Sequence, residues 1–266
     1  MKRLLTVLAA ALLLTGCSGG NPEEPKETEP LIKTVFVHKS ITRTQGDTVG
    51  RTDYIYNEEN LLTDVIVSDG QGQQLQRYLV TCDENGNPTE WATATGSTVT
   101  YTYDTQGRTL RTETYTGDTL MTATEYTWSG DLRISVTVKT SLQEQRTEYA
   151  YDDKGNPTRQ DLYVGGTLSG YGLFTLNEEG KPAQCKTFAP DGTSTGTVTY
   201  EYEGTTEKRI TADAHGTILQ TQIMTYDDRG NLLKNDLVDY SGAVVSSEVH
   251  EWIPLEVPFE APRASI

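Results

Sequence analysis

Sulfur, basic charge and aliphatic bulk are all scarce in this 266-residue chain. Three cysteines are too few for a disulfide framework. Lys and Arg number 22 against 38 Asp and Glu, and no basic patch stands out, so nucleic acid is not an expected partner. After Leu14 no apolar run is long enough for a membrane-spanning helix. The chain contains no G-x-S-x-G, P-loop, G-x-G-x-x-G or H-E-x-x-H pattern. Its three histidines, His38, His215 and His250, have no zinc-site spacing, and neither a metal nor a cofactor is expected. Only 35% of residues are in the set AVILMFWYC, and 15 tyrosines outnumber 4 phenylalanines. That composition is lean for a deep two-layer core. It suits a thin β structure whose aromatics keep a polar tip in water.

What the chain does have is a repeated phrase, clearest from Val99 to Asp118. Val99 to Tyr103 alternates with period two and is β-branched and aromatic, which predicts a half-buried strand. Asp104-Thr-Gln-Gly107 predicts a type I turn whose glycine takes a positive φ. Arg108 to Thr116 runs back as a second strand, and Gly117-Asp118 opens the next turn. Similar units start at Tyr54, Val80, Tyr126, Tyr149, Phe174, Tyr200 and Met224, about two dozen residues apart. Val249 to Trp252 reads as a truncated last strand, and Lys33 to Tyr56 as a degenerate first hairpin. Asp83-Glu-Asn85-Gly86 looks like a calcium loop, but its glycine comes too early, and it is read as a turn. The expected fold is all-β, an antiparallel meander of about eight two-strand repeats forming a curled or spiral sheet. Tyr101 and Tyr103 should share one face, as should Tyr149 and Tyr151.

Tyr-x-Tyr-Asp-x-x-Gly-Asn/Arg, complete at Tyr101 to Arg108 and Tyr149 to Asn156, resembles the YD repeat of bacterial Rhs-type proteins and teneurins. That resemblance implies a spiralling antiparallel sheet, which closes into a shell in the large members. Here the repeats are too few to enclose a toxin.

Lys2 and Arg3 precede an apolar core, Leu4 to Leu14, followed by Leu14-Thr15-Gly16-Cys17. This order resembles the signal and lipobox of bacterial lipoprotein precursors, which implies cleavage before Cys17 and lipid on its sulfur. The expected domains are a signal peptide over 1–16, a lipidated cysteine and disordered linker over 17–30, a β domain over 31–253 and a Pro-rich tail over 254–266. The expected location is the cell membrane, lipid-anchored and extracytoplasmic. The expected role is non-catalytic, either binding or structural, at the cell envelope. The competing class is a glycan-acting hydrolase using two Asp or Glu carboxylates. The expected partners are the membrane, through lipid on Cys17, and a glycan or extended peptide lying along Tyr101, Tyr103, Tyr149 and Tyr151. Cys82 and Cys185, on the fourth and thirteenth strands by count, should stand about 40 Å apart in an open sheet, too far for a disulfide.

Overall fold

A computed structural model describes residues 32–258. Cys17, the signal segment, the linker up to Pro30 and the last eight residues lie outside the described residues. Eighteen strands follow one another: β1 (Ile32–Gln45), β2 (Thr48–Tyr56), β3 (Leu62–Asp69), β4 (Gln74–Cys82), β5 (Pro88–Thr93), β6 (Ser97–Tyr103), β7 (Thr109–Thr116), β8 (Thr119–Ser129) and β9 (Leu132–Thr140); then β10 (Glu144–Tyr151), β11 (Pro157–Val164), β12 (Thr167–Leu176), β13 (Pro182–Phe188), β14 (Ser194–Glu203), β15 (Thr206–Asp213), β16 (Ile218–Tyr226), β17 (Leu232–Asp239) and β18 (Val244–Pro258).

Each strand pairs antiparallel with its neighbour in sequence, as short turns require. β1 also pairs with β18 over thirteen positions, from Ile32↔Pro258 to Gln45↔Ser246. The sheet is therefore a closed barrel of 18 strands, or nine hairpins, rather than a spiral of about eight repeats. Closure pairs the backbone groups that an open sheet would leave along two edges. It also corrects the reading of both chain ends. Lys33 to Tyr56 forms part of the wall, and Val249 to Trp252 lies inside a 15-residue strand. The expected tail from residue 254 continues β18 to Pro258. β17 stops pairing at Val249, so Pro254 lies where β18 needs no N–H on that side.

The turns explain the Asp and Gly of the repeated phrase. In the turn after β10, Asp152 Oδ1 accepts the N–H groups of Lys154 and Asn156 at 2.9 and 2.8 Å. Asp152 Oδ2 accepts from Asn156 Nδ2 at 2.9 Å, which is why Asn closes the phrase. After β6, Arg108 serves instead, donating Nε to Asp104 Oδ2 at 2.6 Å. Gly107 takes φ 75°, as expected, and at the matching point after β2 Asn60 takes φ 62°.

The second aromatic of the phrase has a different task. In β3, β5, β7, β9 and β17 the first or second residue lies beyond the end of its ladder with the next strand, so its carbonyl has no ladder partner there. An aromatic tip supplies the donor. Tyr103 Oη donates to Pro88 O at 2.7 Å, Trp128 Nε1 to Thr109 O at 2.9 Å, Tyr151 Oη to Arg133 O at 2.7 Å and Trp252 Nε1 to Leu232 O at 2.8 Å. Cys82 holds the same position, and its Sγ donates to Leu62 O at 3.4 Å.

Opposed residues share a face, so the register divides the whole ring into two faces. Tyr54, Val65, Tyr78, Trp91, Tyr101, Tyr126, Tyr149 and Tyr200 fall on one face. Tyr54 and Trp91 stand three strands apart, yet their ring centroids are 6.4 Å apart, so this face is the concave interior. The buried Val65, Ile41, Met224 and Cys185 also lie on it. Gly172 faces Cys185, and a Cβ there would come within 2.7 Å of Sγ. The outer face carries ion pairs such as Arg77–Asp64 at 2.6 Å, Arg159–Asp161 at 2.7 Å and Lys139–Glu125 at 2.8 Å. Cys82 on β4 and Cys185 on β13 are nine strands apart in either direction round the ring, and both are free thiols.

Candidate functional site

A barrel of eight strands is filled by its own side chains, but one of eighteen is too wide for that. The interior aromatics agree: Tyr54, Tyr78, Trp91, Tyr101, Tyr149 and Tyr200 are all half-buried, neither sealed nor exposed. The inner wall is thus partly open to solvent.

The four tyrosines singled out by sequence all point inward, in two places. Tyr101 and Tyr103 lie on β6, with rings stacked at 6.4 Å and an interplanar angle of 6°. Tyr149 and Tyr151 lie on β10, four strands away. Desolvation pushes the Tyr101 hydroxyl up to about 12 and also raises those of Tyr103 and Tyr151, so all three stay neutral at physiological pH. Tyr103 and Tyr151 spend their hydroxyls on the carbonyl bonds described above.

The two places differ in what covers the rings. Arg133 lies over Tyr149 at 5.4 Å, Arg209 over Tyr200 at 5.8 Å, Lys181 over Tyr202 at 5.2 Å and Arg108 over Trp128 at 5.6 Å. These cation–π contacts cover four of the inner-wall rings between β8 and β14. Tyr54, Tyr78, Trp91 and Tyr101 carry no cation, and Tyr101 is stacked by Tyr103 and Tyr54 by His38. They touch one another instead, with Trp91 at the centre: 6.4 Å to Tyr54, 6.1 Å to Tyr78 and 5.8 Å to Tyr101. Trp91 lies outside the Tyr-x-Tyr phrase, on a return strand, so the phrase alone does not find it. Its alternation with Thr93 is the signal that places it on the aromatic face.

Closure of the ring builds a second group that the sequence spacing conceals. His38 and His250 are 212 positions apart, yet His38 Nε2 lies 3.1 Å from His250 Nδ1. The His38 ring packs against Trp252 at 3.8 Å and Tyr54 at 5.6 Å. Beside them Arg43 Nε donates to Glu248 Oε1 at 2.6 Å. Burial lowers the His250 pKa, so that imidazole is held neutral. A cleft of about 450 Å³ opens at this seam, lined by Phe36, Lys39, Asp227, Arg229, His250 and Trp252 among others. Among the described residues no three His, Cys, Asp or Glu side chains are placed to hold a metal ion.

A family model described as "Uncharacterised protein" matches residues 86–232, from the turn before β5 to the start of β17. The chain belongs to that family. No curated protein matches it. Among solved structures, this family member is similar to a porin-like protein from Bacteroides uniformis ATCC 8492. Identity is 10%, over 81% of this chain and 98% of that one, with a TM-score of 0.44. A porin-like protein from Bacteroides vulgatus ATCC 8482 is similar at 9% identity over 83% and 100%, with a TM-score of 0.39. TcdB2-TccC3 without its hypervariable C-terminal region is similar at 11% identity over 74% of this chain and 17% of that one, with a TM-score of 0.30. At these scores nothing about the site follows from the likenesses. No helix among the described residues is long and apolar enough to cross a membrane.

Proposed function

We propose that this protein is a lipid-anchored, extracytoplasmic lipoprotein of the YD-repeat type. It binds an extended polymer against the inner wall of its barrel, without catalysis, at the cell envelope. The observation that carries this reading is the row of half-buried aromatic rings, none of them under a cation, along the inner wall from Tyr54 to Tyr101. The anchor rests on the signal-like segment and Leu14-Thr15-Gly16-Cys17. The charged pairs on the outer face fit attachment through lipid, because a lipid-spanning barrel shows an apolar outer band.

The hydrolase alternative needs a carboxyl whose pKa is raised, paired with a second carboxylate. The inner-wall Glu248 goes the other way. Burial favours its neutral form, but the hydrogen bond and charge of Arg43 outweigh that and lower the pKa. Glu207, also on the inner wall, is tied to Arg209 at 2.7 Å.

A glycan and peptide array probed with the chain from residue 31 tests the binding reading. Retention of a polymer class without turnover is the expected result. Product release that disappears with one Asp or Glu substitution overturns it. Membrane fractionation of Cys17→Ser tests the anchor: the variant should leave the membrane or persist as an uncleaved precursor. A mature N-terminus elsewhere, with no lipid adduct by mass spectrometry, refutes it.

A further inference from the structure

The geometry points to an apolar, acidic arc on one rim of the barrel as a docking surface for a basic amphipathic polypeptide. The arc is built from four turns: 214–217 between β15 and β16, 240–243 between β17 and β18, 46–47 between β1 and β2, and 70–73 between β3 and β4. It is separate from the inner-wall site proposed above, and its test leaves that reading untouched.

Three observations carry it. First, large apolar side chains stand exposed along the arc: Leu219, Tyr240, Val244, Val245, Val49 and Leu75, with Tyr240 81% and Leu75 63% exposed. They follow one another round the rim. β16 pairs with β17 as far as Gln220↔Asp239, which brings Leu219 beside Tyr240. The Gly46 N–H donates to Val245 O at 3.4 Å, joining the β1–β2 turn to the start of β18. Val49 packs so close to Gly70 that a Cβ there would come within 2.9 Å of Val49 Cβ. A contiguous exposed apolar patch marks an interaction surface, whereas single exposed residues do not. Second, turn chemistry does not demand these side chains. The β13–β14 turn makes the same backbone bond as the β17–β18 turn, Gly192 N–H to Ala189 O at 3.0 Å against Gly242 N–H to Asp239 O at 3.1 Å. It does so with Ser194-Thr195 where the β17–β18 turn runs into Val244-Val245. Third, the charge on the arc is of one sign. Asp47, Asp69, Asp213 and Asp239 lie in or beside the four turns, and no Lys or Arg occurs in residues 45–49, 69–75, 213–219 or 239–245. The turns of the opposite rim carry Arg108, Lys154, Lys181 and Arg229 among their acids. Carboxylates beside apolar side chains suit a partner that presents basic and apolar groups together. They repel a second copy of the same rim and an anionic lipid surface alike.

The test titrates the purified full chain with a helical Leu–Lys peptide whose leucines share one face. A Leu–Glu peptide of the same pattern, a Ser–Lys peptide of the same charge and phosphatidylcholine vesicles are the other arms. Calorimetry at physiological salt reads the binding, and sedimentation reads self-association. The Leu–Lys peptide should bind, with every other arm at least about tenfold weaker. Tyr240→Ser combined with Leu75→Ser should weaken the Leu–Lys peptide about tenfold. Asp47→Asn combined with Asp239→Asn should weaken it about threefold and flatten its salt dependence. Asn177 accepts turn N–H groups as Asp239 does, so the turn is kept. Glu58→Gln with Glu59→Gln removes the same charge from the opposite rim and should change binding less than about twofold. Each variant is also melted, so that a loss of affinity counts only where the midpoint is kept. If the serine pair lowers the midpoint, the asparagine pair decides. No binding of the Leu–Lys peptide overturns the inference. So does equal binding of the Ser–Lys peptide, tighter binding of the Leu–Glu peptide or the vesicles, or self-association that the serine pair abolishes. An equal loss when Glu58 and Glu59 are changed overturns it too.

Discussion

Replacing Tyr103 by Phe removes one oxygen atom and, with it, the donor to Pro88 O at 2.7 Å. Pro88 is less than 2% exposed and lies beyond the last β5–β6 pair, Glu90↔Thr100, so no backbone N–H is available to replace the donor. A neutral hydrogen bond contributes a net of about 1 kcal/mol, and a buried acceptor left unpaired raises the cost to about 1–3 kcal/mol. At about 2 kcal/mol, a chain of this size should lose roughly 4–8 °C in melting midpoint. In urea the midpoint should fall while the slope stays the same, because the surface exposed on unfolding hardly changes. Tyr101→Phe is the comparison. Tyr101 sits two residues earlier on the same face and makes no such carbonyl bond, so its variant should shift by no more than about 0.5 kcal/mol. The reasoning is refuted if Tyr103→Phe melts with the parent protein, or if both variants shift equally.

Three further outcomes are expected. Asp152 has a lowered pKa because Asn156 and the turn N–H groups bind its charged form, as similar bonds do at Asp213 and Asp239. The resulting stability is fully present above the unfolded value of about 3.9 and is lost as pH falls through the folded value. Asn177 already accepts two turn N–H groups in the same place, so Asp152→Asn should keep stability near neutral pH and flatten its acid decline. An unchanged acid limb in urea titrations at stepped pH counts against this. The lowered pKa of His250 means the unfolded chain takes up its proton first as pH drops. Stability should fall with pH below about 6.5, and His250→Gln should remove that part of the slope. An identical slope in the variant disproves the assignment. Burial raises the Cys185 thiol to about 11, so it should react with a disulfide reagent far more slowly than in denatured protein, and unreduced peptide maps should show no Cys82–Cys185 link. Equal rates, or a linked peptide, contradict the placement of these residues.

Local structure was legible in the sequence because it is coded locally. Asp104 to Gly107 turns as its residues require, and the parity of Tyr101 and Tyr103 puts them on one face. Closure was not legible. No short-range signal links Ile41 to His250, and the register that brings them opposite is fixed only when the ring meets itself. The two prolines of β18, Pro254 and Pro258, read as part of a tail, because the rule against proline in strands assumes a neighbour on both sides, and from residue 250 β18 has only β1. The site was half legible. The tyrosine rows were evident, but which of them carry a cation depends on adjacent strands and turns, as with Arg133 beside Tyr149.

The β1–β18 ladder also orders assembly in time. Every other ladder joins strands consecutive in the chain, so hairpins can form and add to one another with small loops to close. Bringing β1 and β18 together closes a loop of about two hundred residues, at an entropic cost on the order of 5 kcal/mol by the logarithmic rule. That step comes last. Until it happens the nascent sheet has two long unpaired edges that a second chain can join, so the interval before closure is when this protein is most exposed to domain swapping and aggregation.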